Sequence, residues 1–150
     1  MVFVLENHSF HTTGCGQFLD VTEDVSEVVR RSEVRNGMTL VYSPHTTCSI
    51  LINERETGFL RDFTRLMDHL VPLEGAYAHD DLEARTENLE DDPHDIPNGW
   101  AHCRQSLLGN ASQTIPVVDG ELKLGRWQRV FFVELDRARE RRVLIQVMGE

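Results

Sequence analysis

The sequence predicts an α+β fold built on a largely antiparallel β-sheet. Its predicted order is strands, one helix, strands, helices and strands, which is typical of segregated helices and sheet rather than of alternating βα units. The last third holds four β-rich runs, and two of them flank Asp119-Gly120, the strongest hairpin signal in the chain. With 150 residues, 40% of them apolar, the chain has the length and composition of a single globular domain spanning 1–150.

The first part of the chain is predicted to place a helix after two strands. Residues 2–6 and 16–22 are β-rich runs with little polar interruption. Thr22 is predicted to be the N-cap of the following helix, and Asn36-Gly37 is predicted to end it. The apolar residues at helical spacing on its buried side are Val25, Val28 and Val29.

A second helix is predicted after a further pair of strands. These strands span 38–43 and 48–53, with a turn at 44–47 between them. Asn53 is predicted to cap the helix, and Pro72 is predicted to end it. The buried side of this helix is predicted to consist of Phe59, Phe63, Leu66, Met67 and Leu70.

Residues 74–97 form an acidic stretch that is poor in apolar groups and contains two prolines. A segment of that length in a compact domain is usually functional or mobile. We expect an ordered excursion around Tyr77–Leu82, followed by a more mobile acidic segment. A third helix is predicted from Asn98 to Leu108, with Gly109 after it. The remaining β-rich runs, predicted to form a β-meander, are 113–118, 121–125, 127–135 and 141–149.

The net charge indicates which classes of partner the protein can bind, and the cysteine content indicates the cellular compartment. The formal net charge of −10 argues against nucleic-acid binding, because the phosphate backbone requires a basic surface. No apolar run reaches membrane-spanning length, and the first residues lack the basic and apolar regions of a signal peptide. Three scattered cysteines without a CxxC pair indicate a reducing compartment. We therefore expect a cytoplasmic protein that binds neither nucleic acid nor membrane.

The charge is unevenly distributed along the chain. Residues 1–103 hold 19 acidic side chains and 7 Lys or Arg, whereas 104–150 hold 6 acidic side chains and 8 Lys or Arg. A solvated hairpin tip is the interpretation we favour for the basic excess. The alternative is an anion site that binds or attracts a small phosphorylated ligand. The residues concerned are Arg126, Arg129, Arg137, Arg139, Arg141 and Arg142.

Three histidines at junctions between apolar runs are the main candidates for chemistry. His45 follows Ser-Pro, His79 precedes two aspartates, and His102 lies four residues after Asn98. Imidazole titrates near neutral pH and ligates metals, so convergence of the three would suggest a catalytic site. Their spacing matches no compact metal motif, so binding of a divalent ion, zinc or magnesium, depends on the fold. A structural role for each histidine is the alternative.

Other polar residues beside β-rich runs are candidates for ligand contact. Thr46 and Thr47 could donate to an oxyanion or phosphate, or could satisfy backbone groups. Glu134 stands inside the apolar run VFFVEL, where an inward-facing carboxylate needs a partner. Trp127-Gln128 could offer an aromatic wall and an amide to a ligand, or belong to the core. We assign no nucleophilic role to Cys48.

Four segments together resemble the YjbQ family, also called UPF0047. They are HTTCSILINE (45–54), YAHDD (77–81), NGWAHCRQSLLGNAS (98–112) and VDGELKLGRWQRVFFVELD (118–136). The resemblance covers essentially the whole chain. Two departures from the family pattern are Arg126, where the family has threonine, and Asp136-Arg137-Ala138-Arg139, where the family has an Asp-Gly-Pro-Arg turn.

The resemblance implies a compact α+β fold that assembles as a homotrimer, with a polar pocket where the family's histidines gather. It also implies an activity as secondary thiamine-phosphate synthase. The positions that match the family's polar motif are His45, Thr46, Asn53, Glu54, His79, Asn98, His102, Trp127, Gln128 and Glu134.

The expected site combines these residues with the candidates above. The predicted catalytic residues are His45, His79, His102 and Glu134, and the three histidines are also the predicted metal ligands. The predicted substrate contacts are Thr46, Thr47, Asn53, Asn98, Arg126, Trp127 and Gln128. Three functions stay open at this point. They are a transferase joining a pyrimidine diphosphate to a thiazole phosphate, a metal-assisted hydrolase of a small phosphorylated or otherwise reactive metabolite, and a trimeric metal- or metabolite-binding protein without turnover.

Overall fold

The computed structural model describes residues 1–89 and 97–150. Within these ranges the strands are β1 Val2–His11, β2 Phe18–Asp20, β3 Asn36–Tyr42, β4 Cys48–Glu54, β5 Ser112–Val118, β6 Glu121–Leu122, β7 Gln128–Glu134 and β8 Glu140–Gly149. The α-helices are α1 Thr22–Ser32, α2 Thr57–Leu70 and α3 Gly99–Leu108, and a 3₁₀ turn spans Ala78–Asp80. No helix in the described part of the chain is long and apolar enough to cross a membrane.

The strands form two antiparallel sheets, which confirms the predicted α+β class. The larger sheet has the order β1-β8-β3-β5-β6, and the smaller sheet has the order β2-β7-β4. In the larger sheet β8 lies between β1 and β3, so that Val4 and Thr39 both pair with Val147. In the smaller sheet Cys48 pairs with Glu134 at one end, and Glu54 pairs with Gln128 at the other.

The main hydrophobic core lies between the two sheets and α1. Helix α1 contributes Val25, Val28 and Val29, which confirms the predicted buried side of this helix. The inner faces of the two sheets complete this core with Val41, Ile50, Ile115, Val117, Val130, Phe132, Val143, Ile145 and Val147. A second cluster lies between the smaller sheet and α3, and it contains Ala101, Phe131, Val133 and Leu135.

Strand β7 is buried on both faces because it separates these two clusters. Val130 and Phe132 point into the main core, while Phe131 and Val133 point toward α3. This explains the uninterrupted apolar run, since a strand covered on both faces shows no alternation of polar residues. Glu134 ends the strand and is fully buried.

The predicted N-cap of α1 is one residue too late, and its predicted end is several residues too late. The N-cap of α1 is Val21, and the side chain of Asp20 accepts the Thr22 N–H group. The helix ends at Ser32 rather than at Asn36-Gly37, because Glu33 adopts a left-handed conformation with φ of 59°. The residues Asn36-Gly37 instead begin β3.

The predicted cap of α2 is also wrong. Strand β4 continues through Asn53 to Glu54, and the side chain of Glu56 caps the helix by accepting the Gly58 and Phe59 N–H groups, both at 2.7 Å. The helix stops at Leu70, shortly before Pro72, as predicted. Of the five residues predicted on its buried side, Met67 is buried, whereas Leu66 and Leu70 are half exposed.

The strand predictions are correct in number and approximate in extent. Strand β1 runs five residues beyond the predicted 2–6, and β2 is limited to three residues of the predicted 16–22. The turn at Asp119-Gly120 is confirmed, with φ of 56° and 84° at its two residues. The predicted β-meander is wrong, because only β5 and β6 pair as a hairpin and β7 lies in the other sheet.

The acidic stretch 74–97 contains the expected ordered excursion. The 3₁₀ turn Ala78–Asp80 lies within it, beside the start of α3. Residues 81–89 follow as turns and irregular structure. The predicted mobile acidic segment includes 90–96, which lie outside the described residues.

Candidate functional site

A cleft of about 1060 Å³ opens at one end of the two sheets. The turn between β3 and β4, the crossing from β7 to β8, and the start of α3 with its preceding 3₁₀ turn meet there. Residues 84–88 form a further side. The polar side chains of the three meeting segments that line the cleft are Thr46, Thr47, His79, Asn98, His102, Asp136, Arg139 and Arg141.

Asp80 holds the histidine side of the cleft together. Its Oδ1 atom accepts the backbone N–H groups of Asn98 at 2.9 Å and of Gly99 at 2.8 Å, at the start of α3. Asp80 thereby caps the helix, since the Asn98 side chain makes no capping bond. Burial would raise the pKa of Asp80, but hydrogen bonds from His79 and the two amides outweigh burial and the pKa is lowered.

His79 and His102 lie side by side in the cleft wall. Their ring centroids are 4.6 Å apart. His79 Nδ1 lies 3.0 Å from Asp80 Oδ1, and because an ionised carboxylate can only accept, Nδ1 carries the hydrogen. In the neutral ring Nε2 is therefore unprotonated, and it makes no hydrogen bond within the described residues. His79 can offer this nitrogen to a ligand, as an acceptor when neutral and as a donor when charged.

Arg141, which lines the cleft, forms a buried ion pair with Glu134. Arg141 donates through Nε and Nη2 to the two carboxylate oxygens, both at 2.7 Å. Glu134 also accepts the Thr12 hydroxyl at 2.8 Å and the Asp136 backbone N–H at 3.0 Å. Arg141 further donates to the Thr47 hydroxyl at 3.0 Å. Glu134 does not line the cleft, so its role in this geometry is to position Arg141.

A second arginine at the cleft is held by Asp136. Arg139 Nε donates to Asp136 Oδ2 at 3.1 Å, and Asn98 Nδ2 donates to the same oxygen at 2.9 Å. Asp136 is buried, whereas the Arg139 side chain is about one-third exposed. The interpretation of the basic cluster as a solvated hairpin tip therefore fails for Arg139 and Arg141, which belong to the cleft.

His45 does not join the other two histidines at the cleft, and one of its ring nitrogens is occupied by a hydrogen bond elsewhere. Its Nε2 atom accepts the backbone N–H group of Arg142 at 3.0 Å, and its ring contacts Phe132 edge to face. Burial and the neighbouring charges of Arg141 and Arg142 lower the pKa of His45, which favours the neutral ring that this acceptor role requires. Its neighbours Thr46 and Thr47 line the cleft, but His45 does not.

Four predicted substrate contacts lie at the opposite end of the smaller sheet. Asn53 is near the far end of β4, and Gln128 begins β7. Six residues of strand separate that end from Cys48 and Glu134, a distance of about 20 Å. There Trp127 is 65% exposed and stacks against Arg126, and Gln128 accepts the Gly125 N–H group. The structure does not bring these residues to the cleft.

Cys48 is buried beside the ion pair. Its thiol lies 3.6 Å from Glu134 Oε1, and burial together with that carboxylate raises the pKa of Cys48 far above its usual value. A thiolate is therefore disfavoured at this position. This geometry supports the assignment of no nucleophilic role.

Sequence reasoning did not assign Asp136, Arg139 and Arg141 to the site. The sequence pattern that indicates them is the alternation of charge around a short connection, with acids at 134 and 136 and arginines at 139 and 141. Residues two apart in an extended chain share a face. Such a pattern predicts two ion pairs on one face of the connection.

The family of the chain follows from comparison with known proteins. A family model described as UPF0047 protein YjbQ-like matches residues 6–150. The chain belongs to the YjbQ/UPF0047 family. A UPF0047 protein of Archaeoglobus fulgidus is 40% identical to this chain over 132 residues, which cover 88% of this chain and 91% of the relative. YugU of Bacillus subtilis, another UPF0047 protein, is 33% identical over 147 residues, covering 97% and 100% of the two chains.

Two solved structures share this fold. A YbjQ-like protein of unknown function from Sulfolobus solfataricus superposes with a TM-score of 0.79 at 29% identity, covering 99% of both chains. A hypothetical protein from Aeropyrum pernix gives a TM-score of 0.78 at 36% identity, covering 97% of this chain and 99% of the other. These likenesses confirm the predicted family and fold.

Removal of the buried carboxylate should strongly destabilise the protein. In Glu134→Ala the Arg141 guanidinium remains buried without its partner, so we expect the free energy of unfolding to fall by roughly 3–5 kcal/mol. Urea unfolding followed by circular dichroism measures this change. Glu140→Ala, which removes an exposed carboxylate at the start of β8, is the control. Equal stability of the two variants would contradict the structural role of the ion pair.

Removal of the Asp80 carboxylate should weaken α3 in a pH-dependent way. At pH 7 we expect Asp80→Ala to lose about 1 kcal/mol of stability, as other lost caps do. Because the folded-state pKa is lowered, the contribution of Asp80 is complete above about pH 5 and is lost as the pH falls through the folded value. The difference from wild type should therefore shrink in acid.

Nitrogen NMR of the histidines tests the positioning role of Asp80 separately from its capping role. Asp80→Ala should lose the preference for hydrogen on His79 Nδ1, whereas Asp81→Ala, in the adjacent residue, should retain it. An unchanged His79 tautomer in Asp80→Ala would show that the carboxylate does not orient the ring.

Proposed function

We propose that the protein is a small-metabolite enzyme that binds a phosphorylated substrate in this cleft. The observation that carries the proposal is the position of Arg139 and Arg141 beside the His79–His102 pair. Arg139 and Arg141 neutralise the buried carboxylates of Asp136 and Glu134, with which they are paired. The N–H groups that these pairs leave unused are the donors that an anionic ligand would meet at the cleft.

Arg141 is suited to binding an anion because its neighbours fix its orientation. Three of its five N–H groups donate to Glu134 and Thr47. The two hydrogens on Nη1 make no hydrogen bond to another described residue. A guanidinium held in this way loses little side-chain entropy when it binds a phosphate oxygen. The Thr46 side chain, also at the cleft, offers a further hydroxyl donor.

The specific reaction that we propose is a thiamine-phosphate synthase-like transfer. The methylene carbon of a pyrimidine diphosphate loses its bond to oxygen, and the electron pair leaves with the diphosphate. The ring nitrogen of a thiazole phosphate supplies the pair for the new C–N bond, and pyrophosphate is released. The main barrier is the charge that develops on the diphosphate, so positioned cations and donors accelerate this reaction without a nucleophilic side chain.

Each proposed residue has a defined role in this scheme. Arg139 and Arg141 bind the diphosphate oxygens. His79, positioned through Nδ1 by Asp80, donates from a protonated Nε2 to the departing oxygen, with His102 beside it. The Asp80 carboxylate at 3.0 Å stabilises the positive ring electrostatically.

Binding of a metal ion is a separate proposal, and the cleft offers fewer metal ligands than a catalytic zinc site usually has. A catalytic zinc ion usually has three protein ligands, and His79 and His102 would supply two. Among the residues of 1–89 and 97–150, no group of three or more His, Cys, Asp or Glu side chains is arranged to hold a metal. We therefore assign no step to a metal.

Metal-assisted hydrolysis of a phosphorylated metabolite is the second candidate function, and the adjacent imidazoles favour it. Elemental analysis of untagged protein distinguishes the two candidates. About one zinc or magnesium ion per chain would favour hydrolysis, and substoichiometric metal would favour the transfer without metal.

We further propose that the chain forms a homotrimer through the outer face of the larger sheet. In the central strands of that face Met38 pairs with Met148, and Phe3 pairs with Met148 from the other side. Phe3 and Met38 are 63% and 46% exposed. A contiguous apolar patch of this kind usually marks an interface. The other apolar residues on this face are Leu5, Leu40, Tyr42 and Leu144.

A cytoplasmic location is part of the same proposal. Cys15, Cys48 and Cys103 are all free thiols. Reduced cysteines are typical of proteins in a reducing compartment.

Substitution of a cleft histidine tests the proposed function. We expect His102→Ala to abolish pyrophosphate release from the pyrimidine diphosphate and thiazole phosphate pair while changing the melting temperature little. Cys48→Ser should retain activity, because no covalent step is assigned to the thiol. Loss of activity in Cys48→Ser but not in His102→Ala would require a cysteine mechanism instead. Ligand binding without turnover by the wild type would favour a binding protein.

A charge on the outer sheet face tests the oligomeric state. We expect wild-type protein to have the mass of a trimer by light scattering, and Met38→Glu to dissociate it because a buried, unpaired carboxylate disfavours the interface. Ser106→Glu, which adds the same charge on exposed α3 surface, should remain trimeric. A monomeric mass for the wild type across a wide concentration range would refute the trimer.

A further inference from the structure

His79 has one ring nitrogen that is bound and one that is unused. Nδ1 lies 3.0 Å from Asp80 Oδ1 and carries the hydrogen of the neutral ring, whereas Nε2 makes no hydrogen bond to another residue of 1–89 or 97–150. The His79 side chain is 28% exposed and lines the cleft, so a ligand in the cleft can reach the ring. The Nε2 lone pair is therefore available to an electrophile.

Asp80 gives this ring the arrangement of an activated nucleophile. The carboxylate is itself fixed, because Oδ1 also accepts the backbone N–H groups of Asn98 at 2.9 Å and Gly99 at 2.8 Å. A carboxylate held against Nδ1 keeps the hydrogen away from Nε2, and it stabilises the positive charge that the ring gains when Nε2 forms a bond. The fixed carboxylate and the unprotonated nitrogen together favour covalent chemistry at His79.

The donors at the cleft match a phosphoryl group. Asn98 connects the histidine side to the arginine side, because its backbone N–H bonds to Asp80 and its side-chain amide donates to Asp136, which also holds Arg139. Arg139 and His79 thus belong to one hydrogen-bonded network, and both side chains line the cleft. Guanidinium groups bind phosphoryl oxygens through paired N–H groups, so the electrophile that this cleft favours is phosphorus.

Two other nucleophilic groups near the cleft are less suitable. The Thr47 hydroxyl is buried and accepts a hydrogen bond from Arg141. The Cys48 thiol is fully buried beside Glu134. His79 combines a carboxylate partner with exposure to the cleft, and neither of these two groups has both.

We propose that Nε2 of His79 accepts a phosphoryl group from an acyl phosphate and forms a phosphohistidine. The Nε2 lone pair forms the P–N bond, and the P–O bond to the acyl group breaks, with its electron pair leaving on the carboxylate. An acyl phosphate suits the site because this leaving group needs no proton. Water then attacks phosphorus, the P–N electron pair returns to Nε2, and phosphate leaves with both hydrogens of the water. The hydrogen on Nδ1 stays there throughout, beside Asp80.

This hydrolysis of an acyl phosphate is separate from the proposed transfer between a pyrimidine and a thiazole. The phosphohistidine forms from the neutral ring of His79, whereas the transfer uses the ring protonated at Nε2. Phosphate release from an acyl phosphate measures the first activity, and pyrophosphate release measures the second. Loss of either activity therefore leaves the other open to measurement.

Incubation with acetyl phosphate tests the proposal, with intact-mass spectrometry and phosphate release as the two readouts. We expect the wild type to gain one phosphoryl group that is lost in acid and stable in alkali, as a phosphoryl group on histidine is. Where hydrolysis outpaces formation, the same activity is measured as phosphate release. His79→Gln should bring both readouts to background, whereas His69→Gln, which removes an exposed imidazole near the end of α2, should keep both. His79→Asn is the second variant if His79→Gln fails to fold.

Asp80→Ala tests whether the carboxylate directs the phosphoryl group to Nε2. Phosphorus NMR of the labelled protein distinguishes phosphorylation at Nε2 from phosphorylation at Nδ1. We expect Nε2 alone to be labelled in the wild type and in Asp81→Ala, and both nitrogens to be labelled in Asp80→Ala. A purely structural role of Asp80 would lower the amount of label without changing the labelled nitrogen, so a label confined to Nε2 in Asp80→Ala would refute the directing role.

Three outcomes overturn the phosphohistidine. The first is a wild type that gains no phosphoryl group and releases phosphate no faster than buffer does. The second is labelling or phosphate release that persists undiminished in His79→Gln and His79→Asn. The third is a phosphoryl group that peptide mapping places on His102 or on another residue instead of His79.

Discussion

The geometry of the cleft depends on the buried ion pair between Glu134 and Arg141. Glu134 ends a strand of the smaller sheet and Arg141 lies in the larger sheet, so the pair joins two layers that are otherwise held by apolar packing. Neither charge is solvated, and each keeps its partner in one orientation because any other would leave a charge unpaired. The Thr12 and Thr47 hydroxyls complete the coordination from two further segments. Arg141 is consequently fixed in the cleft wall before any ligand binds.

On the histidine side of the cleft a carboxylate again fixes the geometry, and this one, Asp80, is partly rather than fully buried. Asp80 stabilises α3 and orients His79 through one oxygen atom. The bond that begins the helix and the bond that sets the imidazole tautomer therefore share an acceptor. A group needed for folding thus also sets the chemistry available at the cleft, as Glu134 does on the other side.

The sequence predicted those features that depend on local pattern. Valines at helical spacing identified the buried side of α1, and Asp119-Gly120 identified the hairpin, because both signals need no knowledge of distant partners. Histidines 79 and 102 were recognised as site candidates because each stands next to polar groups at the end of an element. Asn53 was grouped with them on motif alone and Trp127 also as a candidate aromatic wall, although the length of β4 and β7 separates both from the cleft by about 20 Å.

Features that depend on tertiary pairing could not be predicted in the same way. A solvated tip was the favoured interpretation of Arg139 and Arg141, because the alternation of charge from 134 to 141 does not show whether these side chains face solvent or a cleft. Asn53 was expected to cap α2, but its strand continues because β4 pairs with β7 as far as Gln128. For Asn53 the deciding partner is β7, a strand distant in sequence, whereas for the arginines it is the path of the short connection between β7 and β8. The residue types identified the candidate site residues, and the tertiary structure determines which of them reach the cleft.

The position of β8 between β1 and β3 also has a consequence for how the chain acquires its structure. Strand β1 pairs with β8 alone, in a register that places Val2 opposite Gly149. The first strand must therefore stay unpaired until the eighth strand is available, and its apolar residues remain exposed for that time. Closure of such a large loop slows folding. The insertion of β8 between β1 and β3 completes the larger sheet and also brings Arg141 to Glu134.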